Sequence, residues 1–260
     1  MKISILTDNI AGDNFRAEHG LSYLIEIDGE KILFDTGHSD IFLKNAGKLG
    51  INIQLEVDKV VLSHGHWDHG NGLAHLSNKK LITHPGTFVN RYRKKDNSSI
   101  GLSLSKEKLI QKFEVVTAVE PAKITPNLWF LGEITRITDF ESKTTDYLLS
   151  NGEEDFITDD SALVAISNEM IVVISGCAHS GICNICEHAK KITGISAIKA
   201  VIGGFHLKDA GLQTQKTHEY FIKNNVELVL PAHCTQMEAK QFFRQHFKFP
   251  EVKTGMVFEF

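Results

Sequence analysis

The stretch Val60-Val61-Leu62-Ser63-His64-Gly65-His66-Trp67-Asp68-His69-Gly70 constrains this chain more than any other. An apolar run with the character of a short buried strand leads straight into His64, His66, Asp68 and His69, and glycines punctuate it. Side chains at alternate strand positions point the same way, so His64 and His66 are expected to converge. Asp68 and His69 fall where the chain turns, in a segment that reads as a loop opening a helix. Three imidazoles and a carboxylate are costly to bury without a cation. An exposed histidine-rich loop would not need so apolar a lead-in. Imidazole with carboxylate suits zinc, iron or manganese, and affinity alone decides little among them.

At 260 residues the chain can bury one large core, in one or at most two domains. A net charge of −4 gives no general attraction to nucleic acid or an anionic membrane. No apolar run approaches a membrane span, and Met1-Lys2-Ile3-Ser4-Ile5 runs directly into polar Thr7-Asp8-Asn9 without a signal-peptide core. A cytoplasmic protein is therefore expected. Four cysteines in a chain of this size do not make a disulfide scaffold.

Strands are expected over residues 2–6, 21–27 and 31–34, the last two joined at Asp28-Gly29. Ser39 reads as the N-cap of a helix with apolar positions at Ile41, Phe42, Ala46 and Leu49. Further strands are expected over 58–63, 80–83 and 127–131. The runs 161–166 and 171–174 read as a buried hairpin delivering Gly176-Cys177-Ala178-His179. Helices over 184–193, 213–224 and 236–247 then alternate with strands over 198–202, 228–230 and near 256–260. Residues 88–112 are polar and carry Arg91, Arg93, Lys94 and Lys95, which suit either a solvated face or a lid. Residues 141–154 are polar and expected to loop outward. Pattern alone gives mixed α and β.

His233, His179 and His206 each follow an apolar run, which favours a place at a common site. His64, His66, His69 and His233 are expected to meet at one metal position. His19, His38 and His84 are not expected as ligands, and His75, His188, His218 and His246 read as surface helix residues.

Taken together, H-x-H-x-D-H at 64–69 and Phe34-Asp35-Thr36-Gly37 resemble the metallo-β-lactamase superfamily. Ser175-Gly176-Cys177-Ala178-His179-Ser180-Gly181-Ile182, Gly203-Gly204-Phe205-His206-Leu207 and Pro231-Ala232-His233-Cys234-Thr235 resemble one branch of it. That branch contains the archaeal enzyme that condenses a dihydropterin with a ribofuranosylaminobenzene phosphate on the route to methanopterin. The likeness spans nearly the whole chain. It implies an α/β (α+β) fold, a four-layer αββα sandwich over residues 1–260, with an insertion at about 86–126 folded over the site. In the family the first two histidines of the run and a later one hold one metal, while the aspartate and last histidine hold a second.

The ligands implied here are His64, His66, Asp68, His69, His179 and His233, holding one or two divalent ions, zinc before iron or manganese. Asp68 would also orient a metal-bound hydroxide. His206 would contact substrate or donate a proton, and Asp35 and Asp160 would stand behind the ligands. Many members carry a bridging aspartate where this chain has Gly176-Cys177; Cys177, His179 and Asp160 are the candidate replacements. Arg91, Arg93 and Arg136 would bind a small, anionic, phosphate-bearing substrate. The implied reaction is hydrolysis, with the pterin-type condensation as the alternative.

Cys183 and Cys186 stand three apart on one face of a helix near its start. With Cys177 and Cys234 they could hold an iron–sulfur cluster or a zinc in a redox or sensing protein. The other reading is two small buried hydrophobes.

Overall fold

The computed structural model describes residues 1–260. In its first half, β1 (Lys2–Thr7), β2 (Ser22–Ile27) and β3 (Glu30–Phe34) form an antiparallel meander. Helices α1 (Ile41–Lys48) and α2 (Ile53–Glu56) carry the chain to β4 (Lys59–Val61), which joins parallel to β3. The short helix α3 (Trp67–Gly70) precedes β5 (Lys79–Thr83), parallel to β4. After β6 (Arg91–Arg93) and α4 (Lys106–Lys112), strand β7 (Phe113–Thr117) completes this edge, parallel to β5.

A second sheet begins with β8 (Ala122–Thr125) and β9 (Leu128–Phe130). Strand β10 (Tyr147–Leu149) leaves it to pair with β6 as a two-stranded flap. The hairpin β11 (Ala162–Ser167) and β12 (Met170–Ser175) follows. Then α5 (Ile182–Thr193), β13 (Ile198–Gly204), α6 (Leu212–Lys223) and β14 (Leu228–Ala232) wind as parallel strands with helical crossovers. After α7 (Met237–Phe243), β15 (Val257–Glu259) returns to pair with β1. The sheet orders are β15-β1-β2-β3-β4-β5-β7 and β14-β13-β12-β11-β9-β8.

Side-chain alternation builds the layers. Ile3, Ile5, Tyr23 and Ile25 meet Leu163, Ala165, Val172 and Ile174 in the core between the sheets. The alternate residues of the first sheet, Leu6, Leu24 and Leu33, pack on Phe42 and Ala46 of α1. Those of the second, Val164, Ile171 and Val173, pack on Ile182 and Ile185 of α5 and Phe221 of α6. The inner strands of each sheet are apolar on both faces because each sheet is covered on both, which produces the αββα sandwich.

Several expectations change. Residues 86–126 divide: β7 and β8 belong to the two sheets, and only the part around β6 stands off. Residues 141–154 do not simply loop outward. Tyr147–Leu149 pairs with Arg91–Arg93, and the Glu141 carboxylate accepts from the backbone N–H of Cys183 (2.9 Å) and Asn184 (2.9 Å) at the start of α5. His188 and His218 are buried; His188 Nε2 faces the Leu131 carbonyl at 3.2 Å.

Candidate metal centre

The centre forms where strand ends of the two sheets meet. Between β4 and α3, Ser63 to His66 cross under Thr87, in the single 3-10 turn Pro85–Phe88. A Cβ at Gly65 would lie 2.0 Å from the Thr87 carbonyl oxygen, so only glycine lets this loop pass. Gly65 N–H donates to Asp159 Oδ2 (2.8 Å), which fixes the peptide between the two histidines. Asp68 and His69 lie on the single turn of α3. From the second sheet, His179 comes off the turn after β12, His206 follows β13 and His233 follows β14. Ala178, His206 and His233 all have positive φ, at 53°, 51° and 46°. Left-handed backbone at three strand ends in one place is strain of the kind kept at functional sites.

Two groups of donors result. His64, His66 and His179 bring their ligand nitrogens within 4.8 Å of one another. Each Nε2 is sealed from solvent and has no hydrogen-bond partner. Buried polar atoms are nearly always paired, so three orphaned nitrogens aimed at one point fit a missing cation. Ser63 Oγ lies 2.9 Å from His64 Nδ1 and leaves Nε2 facing inward. Burial, reinforced by the neighbouring histidines, holds all three imidazoles well below the usual histidine range. They are therefore neutral, the form that binds metal.

The second group is Asp68, His69 and His233. Asp68 Oδ2 is 3.4 Å from His233 Nε2 and 3.9 Å from His69 Nε2, and the two Nε2 atoms are 3.2 Å apart. Two nitrogens on one tetrahedral zinc stand about 3.3 Å apart, given Zn–N bonds of about 2.0–2.1 Å, so this pair fits a shared ion. Each imidazole is aimed from behind. His69 Nδ1 meets Asp35 Oδ2 at 2.7 Å, and His233 Nδ1 meets Asn9 Oδ1 at 3.0 Å. Asp35 is anchored in turn by Ser63 N–H and Ser63 Oγ, both at 2.7 Å. Burial opposes charge on His69, but the carboxylates of Asp35 and Asp68 outweigh it and raise the imidazole to about 9. Burial drives His233 down to about 4. Burial also opposes charge on Asp68, yet His69, His19 and His233 hold its carboxyl well below the usual range.

The four imidazoles of His64, His66, His69 and His233 lie in adjoining donor sets, with His69 within 4.8 Å of a donor of His64 and 3.2 Å from His233. His179 joins His64 and His66, while His233 stands 3.2 Å from His69 Nε2 and 3.4 Å from Asp68 Oδ2. His19, set aside as a ligand, has Nε2 3.2 Å from Asp68 Oδ2 at the exposed rim. His84 is buried and accepts from Gly86 N–H at 3.1 Å, away from both groups.

A cavity of about 160 Å³ opens above the donors, lined by His19, Trp67, Arg93, Tyr147, His206 and Lys208 among others. His206 packs its ring 4.4 Å from that of His179, and burial pushes it down to about 4. In its neutral form His206 can donate a hydrogen bond from one ring nitrogen and accept one at the other. Tyr147, unremarkable in the sequence, places its ring 5.0 Å from His66 and 5.5 Å from His179.

Two of the three arginines assigned to substrate stand elsewhere. Arg91 is 1% exposed, with Nη2 2.8 Å from Asp159 Oδ1 and Nε 3.2 Å from Asp155 Oδ2. It ties the flap to Asp159 and hence to Gly65, and offers no face to a substrate. Arg136 donates to the carbonyls of Phe156 and Ile157 and lines a separate depression with Glu133 and Thr158. Lys94 is paired with Glu154. Arg93 is exposed at the cavity. Asp160 accepts from Ser180 N–H (2.9 Å) and so steadies the turn carrying His179, while its neighbour Asp159 reaches the histidine loop. The four cysteines do not assemble. Cys183 and Cys186 are fully buried in the α5 core, whereas Cys177 and Cys234 lie at the metal groups. Nothing in this arrangement supports a four-thiolate cluster.

A family profile described as the metallo-β-lactamase superfamily matches residues 16–85, which include the H-x-H-x-D-H run. The chain is 33% identical to the 7,8-dihydropterin-6-methyl-4-(β-D-ribofuranosyl)-aminobenzene-5′-phosphate synthase of Methanocaldococcus jannaschii, over 100% of this chain and 97% of that one. It is 36% identical to an uncharacterised protein of the same archaeon over 91% of each. Its structure matches that of a metal-dependent hydrolase of the β-lactamase superfamily with a TM-score of 0.89, at 32% identity, over 100% of this chain and 99% of that one. No helix is long and apolar enough to cross a membrane. The fold, the paired donor groups and these full-length likenesses agree: the chain belongs to the metallo-β-lactamase superfamily.

Proposed function

We propose that this protein is a metal-dependent enzyme of hydrolase type that acts on a small anionic substrate. The observation that carries the reading is the convergence of three sealed, unpartnered imidazole nitrogens, from His64, His66 and His179, beneath an open cavity. These residues would hold one ion, and Asp68, His69 and His233 a second. An ion held there would supply Lewis acidity and would lower the pKa of water to about 7.

The protein's own groups do the rest. Asp35 holds the His69 ring through Nδ1, so that Nε2 faces the centre, where a bound ion would take the place of the second proton that the carboxylates otherwise favour. Asp68, ionised within the second group, can accept a hydrogen bond from an attacking water. Trp67 and Tyr147 wall the cavity and limit water access, while Arg93 and Lys208 supply positive charge at its mouth. Lys208 is shared with Asp146 at 2.6 Å, which leaves Arg93 the stronger grip on an oxyanion.

A second reading, condensation of a dihydropterin with a phosphorylated ribosyl aryl amine, draws on the 33% identity with the archaeal synthase along the whole chain. Both readings use the same donors, since fold and ligands do not fix the reaction. The test starts with elemental analysis of protein prepared without added metal. A screen of phosphodiesters, lactones and thioesters follows, with the dihydropterin condensation in parallel. Metal-dependent hydrolysis of an anionic ester supports the first reading, and condensation without hydrolysis replaces it with the second. Protein that retains no divalent metal on reconstitution refutes both.

A further inference from the structure

We propose that Cys177 is a metal ligand of this centre, a thiolate set between the two donor groups; the inference rests on the metal-dependent reading above. Buried free cysteines usually behave as small hydrophobes, and Cys183 and Cys186, packed among Ile182, Ile185 and Phe221, fit that description. Cys177 has different neighbours. Its Sγ is 3.1 Å from His69 Nε2. It lies within 4.8 Å of donor atoms of His64 and His69, and again of His233 and Cys234. It is therefore the thiol that shares donors with both sides of the centre, while Cys234 shares only one. A sulfur and a nitrogen on one tetrahedral zinc stand about 3.5 Å apart, from a Zn–S bond of about 2.3 Å and Zn–N of about 2.0–2.1 Å, so the observed separation is near that of co-ligands.

The backbone holds the thiol there. Cys177 follows Gly176 at the end of β12, where a Cβ on Gly176 would meet Ser63 Oγ at 2.2 Å. Gly204 N–H donates to the Gly176 carbonyl at 3.0 Å. The turn is thereby pinned against both the Ser63–Asp35 anchor and the end of β13. Cys177 itself is only 4% exposed.

Ligation is a proton exchange without oxidation. The Cys177 S–H bond breaks, its proton leaves to solvent, and a sulfur–metal bond forms. Beside the Asp68 carboxylate, the thiolate would add a second negative ligand and offset part of the cationic charge of the centre, which lowers the penalty of burying it. The consequence is metal choice: a thiolate favours zinc, cobalt(II), cadmium or ferrous ion over manganese and magnesium, which prefer oxygen.

The experiment is cobalt(II) titration of the metal-free full chain under anaerobic conditions, read by absorption. Wild type should show a sulfur-to-cobalt charge-transfer band in the near ultraviolet beside the visible ligand-field bands. Cys234→Ser and the Cys183→Ser/Cys186→Ser pair should keep that band. Cys177→Ser should lose it while retaining ligand-field absorption, and its zinc affinity should fall by about tenfold or more, at least the effect of losing an outer ligand partner. Zinc-edge X-ray absorption on wild type should resolve a sulfur shell at about 2.3 Å, a result that does not depend on any variant folding. A band that survives Cys177→Ser, or bound metal with no sulfur shell, overturns the ligand assignment and leaves the metal reading standing. Absence of any bound cobalt overturns both.

Discussion

Replacing Arg91 with Met separates two roles that its charge alone cannot. Arg91 is 1% exposed and lies against two buried carboxylates, Asp159 at 2.8 Å and Asp155 at 3.2 Å. Met keeps most of the side-chain volume but strands both carboxylates in the interior. Breaking a buried ion pair by removing one partner costs about 3–5 kcal/mol. For a chain of this size each kcal/mol moves the melting temperature by roughly 2–4 °C, so a fall of roughly 6–20 °C is expected. Because Asp159 also holds Gly65 N–H, zinc affinity should drop by about 10–100-fold, as for other outer partners of metal ligands. The assays are thermal melting of the metal-free protein and competition titration with a chelating dye. A cycle with Asp159→Asn gives the coupling, which should lie within about 0.5–3 kcal/mol because the two side chains touch. If Arg91→Met melts within about 0.5 kcal/mol of wild type and only raises KM, Arg91 is a substrate residue and the structural account fails.

Asp68→Ala should reduce kcat by far more than it reduces stability, because its partners are His19, His69 and His233 and not the core; unchanged turnover on the best substrate would remove Asp68 from the chemistry. Arg93→Gln should lower kcat/KM for an anionic substrate and spare a matched neutral one, with the difference shrinking as salt shortens the screening length to about 3 Å at 1 M; equal effects on both substrates would make Arg93 a solvated residue. Burial raises Asp160 from 3.8 to about 6, so the folded state holds its proton more tightly than the unfolded chain does. Its contribution is complete below about 4 and is lost as pH rises through about 6. Asp160→Asn should therefore gain stability relative to wild type across that interval in pH-dependent denaturant melts, and a gap that does not change with pH would show that Asp160 ionises freely.

The donors at the centre could be picked from the sequence because imidazoles behind apolar strands are chemically conspicuous. How they divide could not, because it depends on which strand lies where. β14 is the outer strand of its sheet and β12 lies two places in. The turns after them therefore deliver His233 and His179 to different sides of the centre, although both read as a histidine after a strand. The layers were legible only through the family resemblance, since pattern alone gives mixed α and β; the folded chain shows why inner strands such as β11 and β12 are apolar on both faces, each being covered on both. The lid was not, since the strands at 113–117 and 122–125 are short, partly exposed and apolar only in part.

Arg91 and Arg93 carry this argument furthest. They are two residues apart on one strand, so alternation places them on the same face, and nothing local distinguishes them. Their fates diverge because the partners of Arg91 arrive from far along the chain: Asp159 is 68 positions away. The same holds for Glu141, whose polar surroundings suggested solvent but whose carboxylate caps a helix beginning 41 positions later. A residue's type announces which chemistry it can do. Whether it does that chemistry on a substrate, or spends its charge holding another loop in place, is decided by a carboxylate or a backbone N–H that only the folded chain brings to it. On one flap strand Arg91 steadies the histidine loop through Asp159, while Arg93 stands exposed at the cavity, where we propose that it meets an incoming anion.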